Sequence, residues 1–125
     1  MKRKILIVDD DALLQLTFPE IFDSESYVLK SLLDIRDLDA ELREFKPDLI
    51  LLDIWIGNID GRVVCNFIKS HEQTSLIPIV LMSAMPIDID DAHCQPDAIL
   101  QKPFKIHELF ELIETLFVEG EATHL

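Results

Sequence analysis

Three short, unbroken apolar runs punctuate the chain: Ile5-Leu6-Ile7-Val8, Leu49-Ile50-Leu51-Leu52 and Ile77-Pro78-Ile79-Val80-Leu81-Met82. A strand with one wet face alternates apolar and polar residues. These runs are apolar at nearly every step, which predicts strands buried on both faces of a parallel sheet. Tyr27 to Leu33 and Ala98 to Leu100 are weaker candidates of the same kind, making five strands in all.

The segments between them carry helical spacing. Ile106, Leu109, Phe110, Ile113, Leu116 and Phe117 recur at three- and four-residue steps and predict a closing amphipathic helix. Ile35, Leu38, Leu42 and Phe45 form a second stripe that stops before Pro47, and Val63, Val64, Phe67 and Ile68 form a third. Leu13 to Phe22 is helical in pattern but contains Pro19, where a kink or restart is expected. Ala84 to Asp97 holds Pro86, Pro96 and few apolar residues, so a helix there should be short or irregular. Strand and helix in alternation imply right-handed crossovers. The expected fold is α/β, a three-layer sandwich in which helices cover both faces of a doubly wound five-stranded parallel sheet.

With 125 residues and no repeat, low-complexity tract or linker, the chain reads as one domain, residues 1–125, with a core of about residues 3–118 and a short tail at 119–125. The apolar run after Met1-Lys2-Arg3-Lys4 is too short for a signal peptide, and no stretch is long enough to span a bilayer. Cys65 and Cys94 do not form a disulfide framework; reduced thiols and a cytoplasmic location are expected. Twenty-four acidic against eleven basic residues give a net charge of -13, which repels phosphate backbones and anionic membranes. Direct nucleic-acid and membrane partners are therefore not expected.

Most of those acids belong on solvated helix faces, but a few stand at strand ends. Asp9, Asp10 and Asp11 follow the first apolar run, and Asp53 follows another. Ligands of open α/β sheets bind beyond the carboxyl ends of the strands, where these carboxylates would meet. Each close pair would repel by about 4 kcal/mol at an effective dielectric near 20. A hard cation relieves that conflict, and carboxylate oxygens with water and a backbone carbonyl suit Mg²⁺. Asp11 is expected only to cap the first helix. Ser83 ends the fourth strand with a hydroxyl, and Lys102, before Pro103-Phe104, brings an ammonium to the fifth. The Lys102-Pro103 bond is a candidate for the cis form. Carboxylate nucleophile, divalent cation and donors together suit phosphoryl transfer, with Asp53 forming an acyl phosphate.

Taken together, residues 5–11 (Ile-Leu-Ile-Val-Asp-Asp-Asp), residues 49–54 (Leu-Ile-Leu-Leu-Asp-Ile), Asp60-Gly61, Met82-Ser83-Ala84 and Lys102-Pro103-Phe104 resemble the receiver domain of two-component response regulators along nearly the whole chain. The resemblance implies a flavodoxin-like fold of five strands and five helices. It also implies a function: phosphorylation of Asp53 by a sensor histidine kinase or histidine phosphotransfer protein, switching protein affinity. The domain would catalyse only its own phosphorylation and dephosphorylation. By the same resemblance Asp10 ligates Mg²⁺ directly, Asp9 acts through water and the Trp55 carbonyl is a further ligand. Ser83 and Lys102 contact the phosphoryl group.

Four places depart from the family pattern. Ile56-Gly57 replaces the common Met-Pro and should loosen the loop after Asp53. Ile99 replaces an aromatic residue of the fifth strand, the fourth helix is eroded, and Pro19 sits in the first helix. Three other readings find little support in the residues. A haloacid-dehalogenase-type phosphatase needs an acid where Trp55 stands. A His93-Cys94 metal pair lacks further ligands, and Cys65 reads as a buried small hydrophobe. The alternative that survives is a pseudo-receiver, an unphosphorylated protein-interaction module. The chain reads equally as a complete regulator or as a fragment of a longer one.

Overall fold

The structure, a computed structural model, describes residues 1–87 and 94–123, without the side chains of 121–123. Five parallel strands lie in the order β2-β1-β3-β6-β7: β1 Arg3–Val8, β2 Tyr27–Leu32, β3 Leu49–Asp53, β6 Ile79–Ser83 and β7 Ala98–Gln101. The helices are α1 Ala12–Ile21, α2 Leu38–Glu44, α3 Gly61–Ser70 and α4 Ile106–Thr123. Two short strands, β4 Trp55–Ile56 and β5 Ile59–Asp60, pair antiparallel as a separate hairpin.

The apolar runs of β1, β3 and β6 are continuous because these central strands have two dry faces, whereas β2 at the edge is half-exposed. Ile5, Ile7, Leu49, Leu51, Val80 and Met82 pack with Phe18 and Phe22 of α1 and Leu109, Ile113 and Phe117 of α4. Their neighbours Leu6, Val8, Ile50, Leu52, Ile79 and Leu81 pack on the opposite face with Leu38 and Leu42 of α2 and Val64, Cys65 and Ile68 of α3. Strand order reverses at β1, which pairs with β2 on one side and β3 on the other. That reversal opens a crevice above the strand ends.

Local expectations need correcting in several places. α1 runs unbroken through Pro19 to Ile21. Proline removes only the bond its own N–H would make, and so near the C-terminus the helix closes through Phe22 N–H to the Phe18 carbonyl. Only part of the predicted α3 stripe is buried: Val64 and Ile68 face the sheet with Gly61 and Cys65, while Val63 and Phe67 are exposed. Ile106 is likewise exposed, and Ile35 precedes α2. The loop carrying Ile56-Gly57 is ordered as the β4–β5 hairpin, with Ile56 buried and Gly57 at φ 63 in the turn. A two-residue turn with glycine first matches the twist of antiparallel strands, so this glycine organises the loop instead of loosening it.

Among the described residues there are four helices, where the resemblance implies five. Residues 84–87 form no helix; the rest of the expected short helix falls on residues 88–93, outside the described residues, as do His93 and His124. Ile99 is half-buried against the α2–α3 side of the core. No helix among the described residues is long and apolar enough to cross a membrane.

Candidate functional site

Strand register brings the site together. Val8 pairs with Leu52, so Asp9, one residue on, lies level with Asp53; Asp53 pairs with Met82, and Ser83 with Gln101. The next residue after Gln101 is Lys102, whose peptide bond to Pro103 is cis. Residues separated by up to 93 positions thus converge on one end of the sheet.

One carboxylate oxygen each of Asp9, Asp10 and Asp53 lie within 4.8 Å of one another. Asp9 is fully buried, Asp53 nearly so, and Asp10 is exposed. The Lys102 ammonium donates to Asp9 Oδ2 at 2.7 Å and lies 3.4 Å from Asp53 Oδ2. Burial pulls the Lys102 pKa down, but the hydrogen bond and charge of Asp9, with the charge of Asp53, outweigh it and leave the pKa above the ordinary lysine value. Asp9 Oδ1 accepts the Asp11 N–H at 2.9 Å. Asp10 Oδ2 accepts the Gly57 N–H of the hairpin at 2.7 Å. Asp11 caps α1 by accepting the Leu14 N–H at 3.1 Å.

Asp53 is pushed up to about 6 by burial, then by the negative charge of Asp9, against the opposing pull of Lys102. Its ionised form therefore destabilises the fold. The sign follows from linkage: the raised carboxyl adds no penalty below its unfolded value near 3.8, and the penalty grows as pH rises through about 6. Asp53→Asn should stabilise the cation-free protein by about 2 kcal/mol at neutral pH, since one pKa unit is worth about 1.4 kcal/mol and the site is partly open to solvent. Urea unfolding in chelator at neutral pH and near pH 4 checks this; the gain should vanish at the lower pH.

The Ser83 hydroxyl is turned into its own loop, donating to the Met85 carbonyl at 2.6 Å and accepting the Met85 N–H at 3.1 Å. Trp55 and Met85 are both exposed. Asp60 caps α3 by accepting the Arg62 N–H at 2.9 Å and is paired with the Arg62 guanidinium at 2.8 Å. Gly61 follows, where the backbone crosses directly over Asp53: a Cβ at Gly61 would collide with the Asp53 carbonyl.

Two contributors escape a reading by motif. Gln15, buried on α1, donates through Nε2 to the carbonyls of Ile7, Asp9 and Leu32, each at 3.1 Å, and so ties the ends of β1 and β2 to the helix. An amide amid the apolar positions of α1 was the available signal. Gly57 is the other; only its conformational freedom was visible beforehand. The remaining minor features are inert here: Cys65 is buried with its thiol pushed up to about 12 by burial, and His71 and His107 are exposed.

A doubly wound sheet whose strand ends gather three carboxylates and a lysine defines a class of small α/β domains with an acidic crevice. The profile of the response regulator receiver domain matches residues 5–114. The chain is 31% identical over 112 residues to the DNA-binding response regulator MtrA of Mycobacterium tuberculosis, covering 87% of this chain and 48% of MtrA. It is 26% identical over 119 residues to the polar-differentiation response regulator DivK of Brucella ovis, covering 92% of this chain and 96% of DivK. Among solved structures, a CheY-like receiver domain protein from Methanospirillum hungatei superposes with a TM-score of 0.83 at 22% identity, covering 98% of this chain and 99% of that one. The chain belongs to the receiver domain family of two-component response regulators. It spans about half the length of several curated relatives it matches.

Proposed function

We propose that this receiver accepts a phosphoryl group on Asp53 from a histidine kinase or phosphotransfer protein in a Mg²⁺-dependent reaction, and thereby changes its affinity for a protein partner. The observation that carries this reading is the trio of carboxylates within 4.8 Å with Lys102 bonded to one and close to another. Hard carboxylate oxygens at a half-open site fit Mg²⁺, with Asp10, Asp53 and the Trp55 carbonyl as its protein ligands and Asp9 supporting it. When bound, Mg²⁺ neutralises charge on the phosphoryl oxygens.

The chain's own residues supply the rest. With a pKa of about 6, Asp53 is mostly ionised at neutral pH, and its oxygen can attack phosphorus. The phosphorus–nitrogen bond of a phosphohistidine breaks as the phosphorus–oxygen bond forms, and the imidazole nitrogen keeps the bonding electrons. Lys102 contacts the transferred group. The Ser83 hydroxyl, now engaged with Met85, would exchange that partner for a phosphoryl oxygen. Its release would be the first movement of the switch. The domain turns over no substrate beyond its own acyl phosphate.

The charge of -13 favours protein over nucleic-acid contact for this segment, although MtrA as a whole is a DNA-binding regulator. Two unbridged thiols suit the cytoplasm. Incubation with Mg²⁺ and a small phosphodonor should add the mass of one phosphoryl group, lost in Asp53→Asn. Mg²⁺ with beryllofluoride should change the fluorescence of Trp55. Absence of both responses would leave a pseudo-receiver, an unphosphorylated interaction module.

A further inference from the structure

The three carboxylates of the site are not held alike. Asp9 is buried and bonded to Lys102 and to the Asp11 N–H, and Asp53 is buried beside the same ammonium. Asp10 is exposed, and among the described residues no ion pair holds it. Its recorded hydrogen bond comes from 47 residues away, where the Gly57 N–H reaches Oδ2 at 2.7 Å. A free aspartate on the surface samples several rotamers, and ordering it costs affinity at the moment a ligand binds.

We propose that Gly57 is a positioning residue for the cation site, its backbone N–H holding the Asp10 carboxylate ready to ligate. This rests on the reading that Asp10 is a ligand of Mg²⁺. A carboxylate has lone pairs enough to accept the amide and still coordinate a cation. The hairpin makes the donor available. Trp55 pairs with Asp60 and Ile56 with Ile59, buried Ile56 anchors the ribbon to the core, and Gly57 turns the chain at φ 63. Glycine takes that conformation without steric cost, and unlike proline it keeps its N–H. The bond therefore couples the cation site to the hairpin: what fixes the turn also fixes the ligand.

The test uses the full chain with Mg²⁺ alone as probe and Trp55 fluorescence or calorimetry as readout. Replacing Gly57 by glycolate through nonsense suppression turns the N–H into an ester oxygen and leaves φ free. It should weaken Mg²⁺ binding on the order of 10- to 100-fold, as loss of an outer partner of a metal ligand does. Gly57→Asn keeps the donor, its Cβ meets open space, and asparagine tolerates a positive φ better than alanine, so binding should fall by less than about threefold. The amide resonance of Gly57 should move upfield in Asp10→Ala and stay in place in Cys65→Ala. Equal Mg²⁺ affinity in the ester and the parent, or equal weakening by the ester and by asparagine, overturns the proposal. If Asp10→Ala binds Mg²⁺ as the parent does, the reading of Asp10 as a ligand fails instead.

Discussion

Replacing Lys102 by alanine should cost the cation-free protein about 3 kcal/mol at neutral pH, because removing one partner of a buried ion pair strands the other charge. Asp9 is the stranded group. It is fully buried, accepts the ammonium at 2.7 Å, and would keep the neutral N–H of Asp11 but no opposite charge among the described residues. Asp53, already pushed up to about 6, loses the Lys102 charge that pulls it down. Two consequences separate this electrostatic account from loss of packing. Millimolar Mg²⁺ should restore much of the deficit, since a divalent ion among Asp9, Asp10 and Asp53 replaces the missing charge. Lys102→Arg, which retains a charge, should lose far less. Urea midpoints in chelator and in Mg²⁺ provide the measurement, and a deficit indifferent to the metal would refute the electrostatic account.

The second large effect is expected at a residue without a side chain. Gly61→Ala should destabilise the fold by about 3 kcal/mol, the upper end for overpacking, because the obstacle is backbone. The methyl group would meet the Asp53 carbonyl and sit against Ile54, and neither can rotate away. The Gly61 N–H also donates to the Ile54 carbonyl at 2.6 Å, so displacement breaks a bond as well. Relief requires the end of β3 to shift, which moves Asp53 relative to Asp9 and Lys102. Phosphoryl uptake should therefore fall even where the variant remains folded. Thermal unfolding and phosphodonor labelling of the same preparation test the two halves separately.

The sheet was legible because its signal is redundant. Unbroken runs such as Leu49 to Leu52 have few alternatives to a doubly covered strand, and β1, β3 and β6 lie where those runs are. The gathering of Asp9, Asp10, Asp53 and Lys102 followed from parallel topology alone, since strand ends in such a sheet share one edge. Helix faces were less legible. Val63 and Phe67 are as apolar as Val64 and Ile68, and only packing against a particular sheet selects between overlapping stripes. The hairpin went unread because β4 and β5 are two residues each, too short for any period to show. Glycine at position 57 reads from sequence as slack, whereas its φ and its N–H give it a defined place. Gln15 was missed because its partners are carbonyls of β1 and β2, invisible as side-chain identity.

The register that assembles the site also sets when it can exist. Asp9 and Lys102 meet only after β1 has paired with β3, β3 with β6 and β6 with β7. Every one of these pairings closes a long loop, and loop-closure entropy makes such contacts slow to form. A chain emerging from the ribosome can bury much of its apolar surface and still lack the lysine that steadies its acids. Until residue 102 is in place the acidic crevice is a site of self-repulsion, and its completion coincides with closure of the last strand. The set of acids and lysine at the strand ends is complete only once β7 has joined the sheet, so a chain halted before that strand has no intact crevice.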